Sequence, residues 1–128
     1  QRREAAGRWV ETIAVLTLRI KFYRILARRH HCPVGKIDII AARERTLVFI
    51  EAKARQKSEQ ARESVTPRQQ QRITYAVVSF LQSYPKLQDS LLRFDLLRFN
   101  VLLIVPKKLP HHVMNAWRGS SACAKYVR

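Results

Sequence analysis

The chain has 128 residues, 47% of them hydrophobic, and its 25 Lys and Arg against 9 Asp and Glu give a formal net charge of +16. This length and apolar content predict one domain over residues 1–128 with its own core, and with only three Gly they exclude disordered and repeat architectures. The positive charge attracts polyanions, so nucleic acid is the first partner to consider, ahead of a generally basic protein with no such partner.

Membrane and secreted classes fit the sequence poorly. No uncharged run approaches the roughly 20 residues of a spanning helix, and Glu11 and Arg19 interrupt the apolar positions that a signal peptide needs. Cys32 and Cys123 are the only cysteines and do not make a disulfide framework. We therefore expect a cytoplasmic protein without a membrane partner, although the chain begins at Gln1 rather than Met.

The first predicted element is an amphipathic helix from Glu4 to Lys21, where apolar residues recur at spacings of three and four. Glu11 lies beside its apolar stripe. The aromatic and aliphatic run Phe22 to Arg28 predicts a strand, and residues 30–35 predict a connector that contains Pro33 and Gly35.

Two apolar runs then predict a β-hairpin. They extend from Lys36 to Ala42 and from Leu47 to Ala54, around a turn at residues 43–46. Continuous apolar runs of this length indicate strands that are covered on both faces. The polar residues 56–64 after the hairpin predict a loop or a short helix.

A second helix is predicted to begin at Thr66, with Pro67 in its first turn, and to reach about Leu81. A last long strand is expected within Leu92 to Val105, and residues 111–118 predict a final turn of helix. The order of helix, three strands, helix and strand predicts an α/β fold, in which a central mixed β-sheet is flanked by α-helices.

Asp38 and Glu51 are the candidate reactive pair. If the turn centres between Glu44 and Arg45, the two acids stand directly opposite in the hairpin, with Cβ atoms about 4.5–5.5 Å apart. Two ionised carboxylates at that distance repel each other, and a divalent cation between them relieves the repulsion.

Ala52 and Lys53 extend this predicted site. Alternation places Lys53 on the face of Glu51, and the Ala52 carbonyl can add an oxygen ligand. Such a patch suits Mg²⁺ or Mn²⁺ that keeps several waters and binds a substrate phosphate, while Lys53 orients or deprotonates the attacking water. The plainer alternative is an exposed Glu51 and Lys53 ion pair, and a one-residue shift of register would separate the acids.

The stretch from Gly7 to Arg55 contains Gly-x-x-x-Glu, Gly-x-Ile-Asp and Glu-x-Lys motifs, and it resembles the bacterial YraN family. That uncharacterised family is related to archaeal Holliday junction resolvases and to PD(D/E)xK nucleases. The resemblance continues to residue 118 and implies a restriction-endonuclease-like fold, with a homodimer as one option. It also implies that Asp38 and Glu51 bind metal, that Lys53 assists the water, and that Glu11 is an outer or second-metal ligand.

Two positions depart from the family pattern. Lys36 stands where the family has Glu, and it either pairs with Asp38 and weakens metal binding or holds a DNA phosphate. The family's Arg-Phe-Asp before the last strand is matched by residues 98–100, with Asn100 in place of Asp. That alignment leaves Asp95 as a residue at the start of the strand.

The second helix also predicts a surface for nucleic acid. Arg68, Gln69, Gln70 and Arg72 provide the charge and donors that backbone contacts need, and Gln71 shares a face with Tyr75. The four histidines do not follow zinc-ligand spacings, so they are interpreted as loop residues. The predicted nucleic-acid-binding residues are Lys36, Arg55, Arg68, Gln71 and Arg72.

Together these features predict a DNA-binding protein with a Mg²⁺-dependent nuclease site. Two alternatives stay open from the sequence. One is a catalytically inactive DNA-binding module of the same fold, and the other is a scaffold whose basic surface recruits an acidic protein.

Overall fold

A computed structural model describes residues 2–55, 65–100 and 110–118 of the chain. Two helices and five strands follow one another in the order α1 Arg2–Ile20, β1 Arg24–Cys32, β2 Gly35–Arg43, β3 Thr46–Arg55, α2 Pro67–Ser83, β4 Leu91–Asn100 and β5 His111–Val113. A 3₁₀ turn, Pro85–Asp89, lies between α2 and β4. The predicted order of elements is confirmed, with β5 in addition.

The strands form one five-stranded sheet in chain order, from β1 to β5. Every neighbouring pair is antiparallel except β3 and β4, which are parallel. A parallel pair needs a connection that crosses a face of the sheet, and α2 lies in that connection. The sheet is therefore mixed, as predicted.

The two helices cover opposite faces of this sheet. Phe49 packs in one core cluster with Val77 of α2, whereas its neighbour Ile50 packs in a second cluster with Leu18 of α1. Successive strand residues face opposite sides, so the continuous apolar runs of β2 and β3 are buried from both directions. This arrangement confirms the α/β, restriction-endonuclease-like fold class. Neither described helix has the length and apolar character needed to cross a bilayer.

The start of α2 is built as its sequence predicts. The Thr66 hydroxyl accepts a hydrogen bond from the Gln69 N–H at 3.1 Å, and Gln69 Oε1 accepts one from the Thr66 N–H at 2.9 Å. Pro67 occupies the first turn, where its missing N–H has no partner to lose. This reciprocal capping box fixes the first turn of α2.

Gly35 brings the start of β2 against α2. A Cβ atom on Gly35 would lie 2.1 Å from the carbonyl oxygen of Arg72 and 3.0 Å from Cβ of Tyr75. Only a residue without a side chain permits this approach. The contact therefore positions the strand that carries Asp38.

Two predicted elements are wrong. The connector at residues 30–35 is mostly strand, because β1 continues to Cys32, which pairs with Gly35, and only Pro33 and Val34 form the turn. The final helical turn is absent from the described residues 110–118, where His111–Val113 pair with β4 instead. The edge of β4 offers backbone hydrogen-bond partners to His111–Val113, whereas a helix of only a few residues is unstable alone.

Candidate metal site

A two-residue turn at Glu44 and Arg45 sets the register of the β2–β3 hairpin. The ladder extends from the pair Arg43 and Thr46 to the pair Ile39 and Ile50. Glu44 has a φ of 58°, the left-handed conformation that tight hairpin turns use. The turn thus centres where the sequence predicts, and the ladder ends one step before the two acids.

The backbone of Ala52 marks the point where β2 and β3 separate. Hydrogen-bonded pairs alternate along an antiparallel ladder, and counting from the turn, the next bonded pair would join Ile37 to Ala52. Instead the Ala52 N–H donates to Asp38 Oδ2 at 2.8 Å. The N–H and C=O of one strand residue point to the same side, so the Ala52 carbonyl faces the gap that Asp38 occupies.

Glu51 meets Asp38 at this gap. Burial first, then the negative charge of Asp38 and a hydrogen bond between the two carboxyl groups, raise the pKa of Glu51 to about 8, although Lys36 and Lys53 oppose the shift. Glu51 Oε1 is buried and has no hydrogen-bond donor among the described residues. Buried polar atoms normally have a partner, so this oxygen indicates a site for a proton or a cation.

Lys53 lies next to the acids and is only 7% exposed. Its Nζ donates to Gln69 Oε1 at 2.8 Å, the same oxygen that caps α2 through Thr66. The sequence interpretation placed Gln69 on the outer, nucleic-acid-facing surface, whereas its side chain reaches the buried lysine. The Thr-x-x-Gln capping pattern, Thr66 to Gln69, is the feature of the sequence that indicates an inward-turned Gln69 side chain.

Glu11 lies against two arginines of β1. Its side chain is 15% exposed, one carboxylate oxygen accepts from Arg28 Nε at 2.8 Å, and the other accepts from Arg29 Nε. No group of three or more His, Cys, Asp or Glu suited to a metal ion occurs within residues 2–55, 65–100 and 110–118. The structure does not bring Glu11 to the acid pair, and its role as an outer ligand stays a prediction.

The donor set at the gap fits Mg²⁺ or Mn²⁺. Two carboxylates and a backbone carbonyl are hard oxygen donors, and Mg²⁺ commonly takes one or two carboxylates while it keeps several waters. A divalent cation would also provide the charge that the unpartnered Glu51 Oε1 lacks. Asp38, Glu51 and the Ala52 carbonyl are the groups that would hold it.

The predicted nucleic-acid-binding residues are exposed where the structure describes them. Lys36 lies on the surface of β2, close enough to Glu51 to act on its pKa. Arg68, Gln71 and Arg72 are exposed on α2, and the Gln71 amide donates to the Tyr75 hydroxyl at 3.2 Å. The side chains of Arg55 and Asn100 lie outside the described part of the structure.

The sequence analysis placed Asp95 at the start of a strand, and this prediction is wrong. Asp95 lies within β4 with 0% exposure and accepts hydrogen bonds from Arg93 Nη2 at 2.8 Å, His112 Nε2 at 2.8 Å and the Asn115 N–H at 2.9 Å. His112, interpreted as a loop residue, lies in β5 with its side chain 4% exposed.

The environment of Asp95 favours its ionised form. Burial alone would raise the pKa of Asp95, but the hydrogen bonds from His112, Arg93 and Asn115 hold it below its usual value. On the other side of its ring, His112 Nδ1 lies 2.8 Å from Lys21 Nζ. Asp95 thus ties β4 and β5 to the end of α1, from a position in β4 that is paired with Ile50 of β3.

The chain is similar to one protein family and to several known proteins. Residues 10–104 match the family model described as Uncharacterised protein family UPF0102. A protein of Parvibaculum lavamentivorans is 46% identical over 112 residues, which cover 88% of this chain and 80% of the relative. One from Rhodopseudomonas palustris (strain BisA53) is 46% identical, covering 90% and 85%. Another, from Nitrobacter winogradskyi, is 41% identical, covering 91% and 94%; all three are described as UPF0102 proteins.

Proposed function

This chain belongs to the uncharacterised protein family UPF0102, as its resemblance to the YraN family predicted, and from that premise we propose that it is a Mg²⁺-dependent nuclease acting on DNA. One observation carries the proposal. Asp38 and Glu51 meet where β2 and β3 separate, the pKa of Glu51 is raised to about 8, and its Oε1 has no donor among the described residues. A divalent cation between the two carboxylates would relieve their repulsion, and it could also bind an oxygen of a substrate phosphate.

The charge of the whole chain supports a nucleic-acid substrate. A net charge of +16 concentrates polyanions around the protein. Lys36 on β2 and Arg68 and Arg72 on α2 are exposed cations on the two elements that meet at Gly35. They are suited to contact the DNA backbone, and a DNA substrate implies a cytoplasmic location.

Each residue of the site has a distinct part in hydrolysis. Asp38, Glu51 and the Ala52 carbonyl would hold the ion. When bound, the ion would supply positive charge that stabilises the phosphate under attack, and it would lower the pKa of a coordinated water. Lys53 Nζ orients or helps to deprotonate the water that attacks phosphorus in line with the leaving oxygen. Its hydrogen bond to Gln69 keeps the ammonium near the acids.

Cleavage of a DNA panel tests this function. Branched, single-stranded and linear duplex DNAs are incubated with Mg²⁺, with Mn²⁺ and with chelator, using the wild type and the Lys53→Ala, Asp38→Asn and Glu44→Gln variants. We expect metal-dependent cleavage that falls about 10²-fold or more in Lys53→Ala and Asp38→Asn. Glu44→Gln removes an equal charge from the exposed turn and should cut like the wild type. Cleavage by Asp38→Asn at the wild-type rate would contradict the proposal.

A second candidate is a DNA-binding module of the same fold that does not cleave. The observation in its favour is Lys36, whose charge already acts on Glu51 and competes with a metal ion. Calorimetry with Mg²⁺ and Mn²⁺ separates the two candidates. Metal uptake by the wild type supports the nuclease, whereas uptake that appears only in Lys36→Glu supports the module without activity.

A further inference from the structure

We propose that Arg28 and Arg29, oriented by Glu11, form a second phosphate-binding site, which takes a backbone phosphate of the DNA beside the one at the acid pair. This inference rests on the proposed function and extends it with a subsite for substrate.

A cleft between α1 and β1 provides the space. It has a volume of about 320 Å³ and is lined by Glu11, Thr12, Arg28 and Arg29. Its walls carry two guanidinium groups and one hydroxyl, which are donors that phosphate oxygens accept.

The two arginines keep their terminal amino groups available. Each uses its Nε to bind Glu11, and neither donates from a terminal Nη group to another described residue. The two Nη groups of a guanidinium form a planar fork that matches two oxygens of a phosphate. Glu11 therefore orients the arginines without occupying the fork.

An unusual backbone conformation brings the arginines together. Successive strand residues face opposite sides, yet Arg28 and Arg29 reach the same carboxylate. Arg29 has a φ of 53°, and the ladder pairs Arg28 with Ile39 and His30 with Ile37 but skips the pair between them. A left-handed backbone is strained for an arginine, and strained backbone of this kind concentrates at ligand-binding positions.

Burial and charge also match a phosphodiester. The Glu11 side chain is 15% exposed, whereas those of Arg28 and Arg29 are 47% and 57% exposed. The carboxylate therefore lies beneath two guanidinium groups that face solvent. One carboxylate against two guanidiniums leaves a single positive charge, which balances the single negative charge of one backbone phosphate.

The position of the cleft suits the same DNA strand. Arg29 stands beside Asp38 in the sheet, since the pairs on either side of them join β1 to β2. Neighbouring strands are about 4.8 Å apart, so the subsite lies within a few strand spacings of the acid pair. A DNA backbone that passes the acids can therefore reach the arginines with a nearby phosphate.

Binding without cleavage tests the subsite. Fluorescence anisotropy of a labelled duplex DNA is measured in chelator over a range of salt concentrations. The double variant Arg28→Gln/Arg29→Gln is compared with Arg24→Gln/Arg45→Gln, which removes the same charge from exposed positions at the other end of β1 and in the hairpin turn. We expect the first variant to bind about tenfold more weakly and to lose about 0.9 from the slope of log affinity against log salt, the value for one phosphate contact. The control should change affinity less than about twofold, as distant charges are screened.

A charge-conserving variant distinguishes loss of the phosphate contact from loss of the fold. Arg28→Lys/Arg29→Lys keeps two cations for Glu11 but loses the planar forks, so its affinity should lie between those of the wild type and the Gln variant. The proposal is overturned if the Lys variant binds like the wild type, if the Gln variant binds like its control, or if the wild type does not bind DNA.

Failure of the subsite and failure of the nuclease give different results. A wild type that binds DNA through these arginines but does not cut it with Mg²⁺ or Mn²⁺ overturns the nuclease and leaves the subsite. Metal-dependent cleavage by a wild type whose Gln variant binds like the control overturns the subsite alone.

Discussion

The Ala52 N–H donates to Asp38 Oδ2 at 2.8 Å, where the β2–β3 ladder has ended. A side chain thus takes the hydrogen bond that a strand partner would otherwise accept, so the backbone of β3 fixes one carboxylate of the acid pair. Asparagine also offers an oxygen for this N–H, so Asp38→Asn should remove the charge while it keeps the local structure.

Glu51 should make the folded protein less stable as pH rises. Its pKa of about 8 in the folded state exceeds its ordinary value of 4.5, so the folded state holds a proton that the unfolded chain releases. This contribution is fully present below about pH 4.5 and is lost as the pH rises through about 8. At one kilocalorie or more per pKa unit, we expect the loss to be on the order of 3 kcal/mol.

Urea unfolding at a series of pH values measures this effect. The free energy of unfolding of the wild type should fall more steeply between pH 5 and pH 9, on the order of 3 kcal/mol, than that of Glu51→Gln, which has no proton to lose. Added Mg²⁺ should reduce the difference at high pH, because a bound cation stabilises the ionised pair. Parallel pH profiles for the two proteins would show that Glu51 titrates normally.

Gln69 should act as a positioning residue for Lys53. Gln69→Ala removes the acceptor for Lys53 Nζ and for the Thr66 N–H together, so we expect a loss of about 1 kcal/mol in stability from the cap and slower cleavage with a changed pH profile. Thr66→Ala weakens the same cap but leaves the Gln69 side chain. It should therefore destabilise the protein by a similar amount without changing the pH profile of cleavage. Identical pH profiles for Gln69→Ala and the wild type would contradict a positioning role.

Gly35→Ala should destabilise the contact between β2 and α2. The added methyl group meets the Arg72 carbonyl oxygen at 2.1 Å, which is backbone and cannot move aside without the helix. Overpacking of this kind costs about 1–3 kcal/mol. Chemical denaturation measures the loss, and Val34→Ala, at a neighbouring position that is 60% exposed, should change stability by less than about 0.5 kcal/mol. Equal stabilities of the two variants would mean that the close approach is not required.

Asp95→Asn should be the most destabilising of these changes. It leaves Arg93 and His112 without a carboxylate in a buried network, and a broken buried ion pair costs about 3–5 kcal/mol. Since the pKa of Asp95 is lowered, its contribution is present above the ordinary value of 3.8 and is lost as the pH falls below it. Unfolding measurements at neutral and acidic pH check both points, with Glu44→Gln, at an exposed acid of the hairpin turn, as the control. A similar loss in both variants would contradict the role of the network.

Local signals in the sequence were sufficient to predict the hairpin and the second helix. A two-residue turn between apolar runs fixes the pairing of β2 and β3, which brings Asp38 towards Glu51. Thr66 and Pro67 define the start of α2 through neighbouring backbone groups. These features depend on residues close in sequence, so periodicity and capping patterns carry the information.

Contacts between distant segments could not be predicted in this way. Asp95 depends on His112, which reaches it only because β5 adds to the edge of β4. Arg29 adopts a left-handed φ although it is not one of the residue types that favour it. The position of Glu11 follows from its attraction to two arginines of β1, which no motif in α1 reveals.

Among the strands that the structure describes, β1 lies at one edge of the sheet. This edge limits how two copies of the protein can associate. The register of β1 shifts between Ile25 and Ala27, its backbone turns left-handed at Arg29, and its exposed side chains include Arg24, Arg28, Arg29 and His31. Bulges and positive charges on an edge oppose the addition of another strand. A homodimer would therefore not form by joining two sheets through β1 into one continuous sheet, and its two-fold interface would have to use another surface.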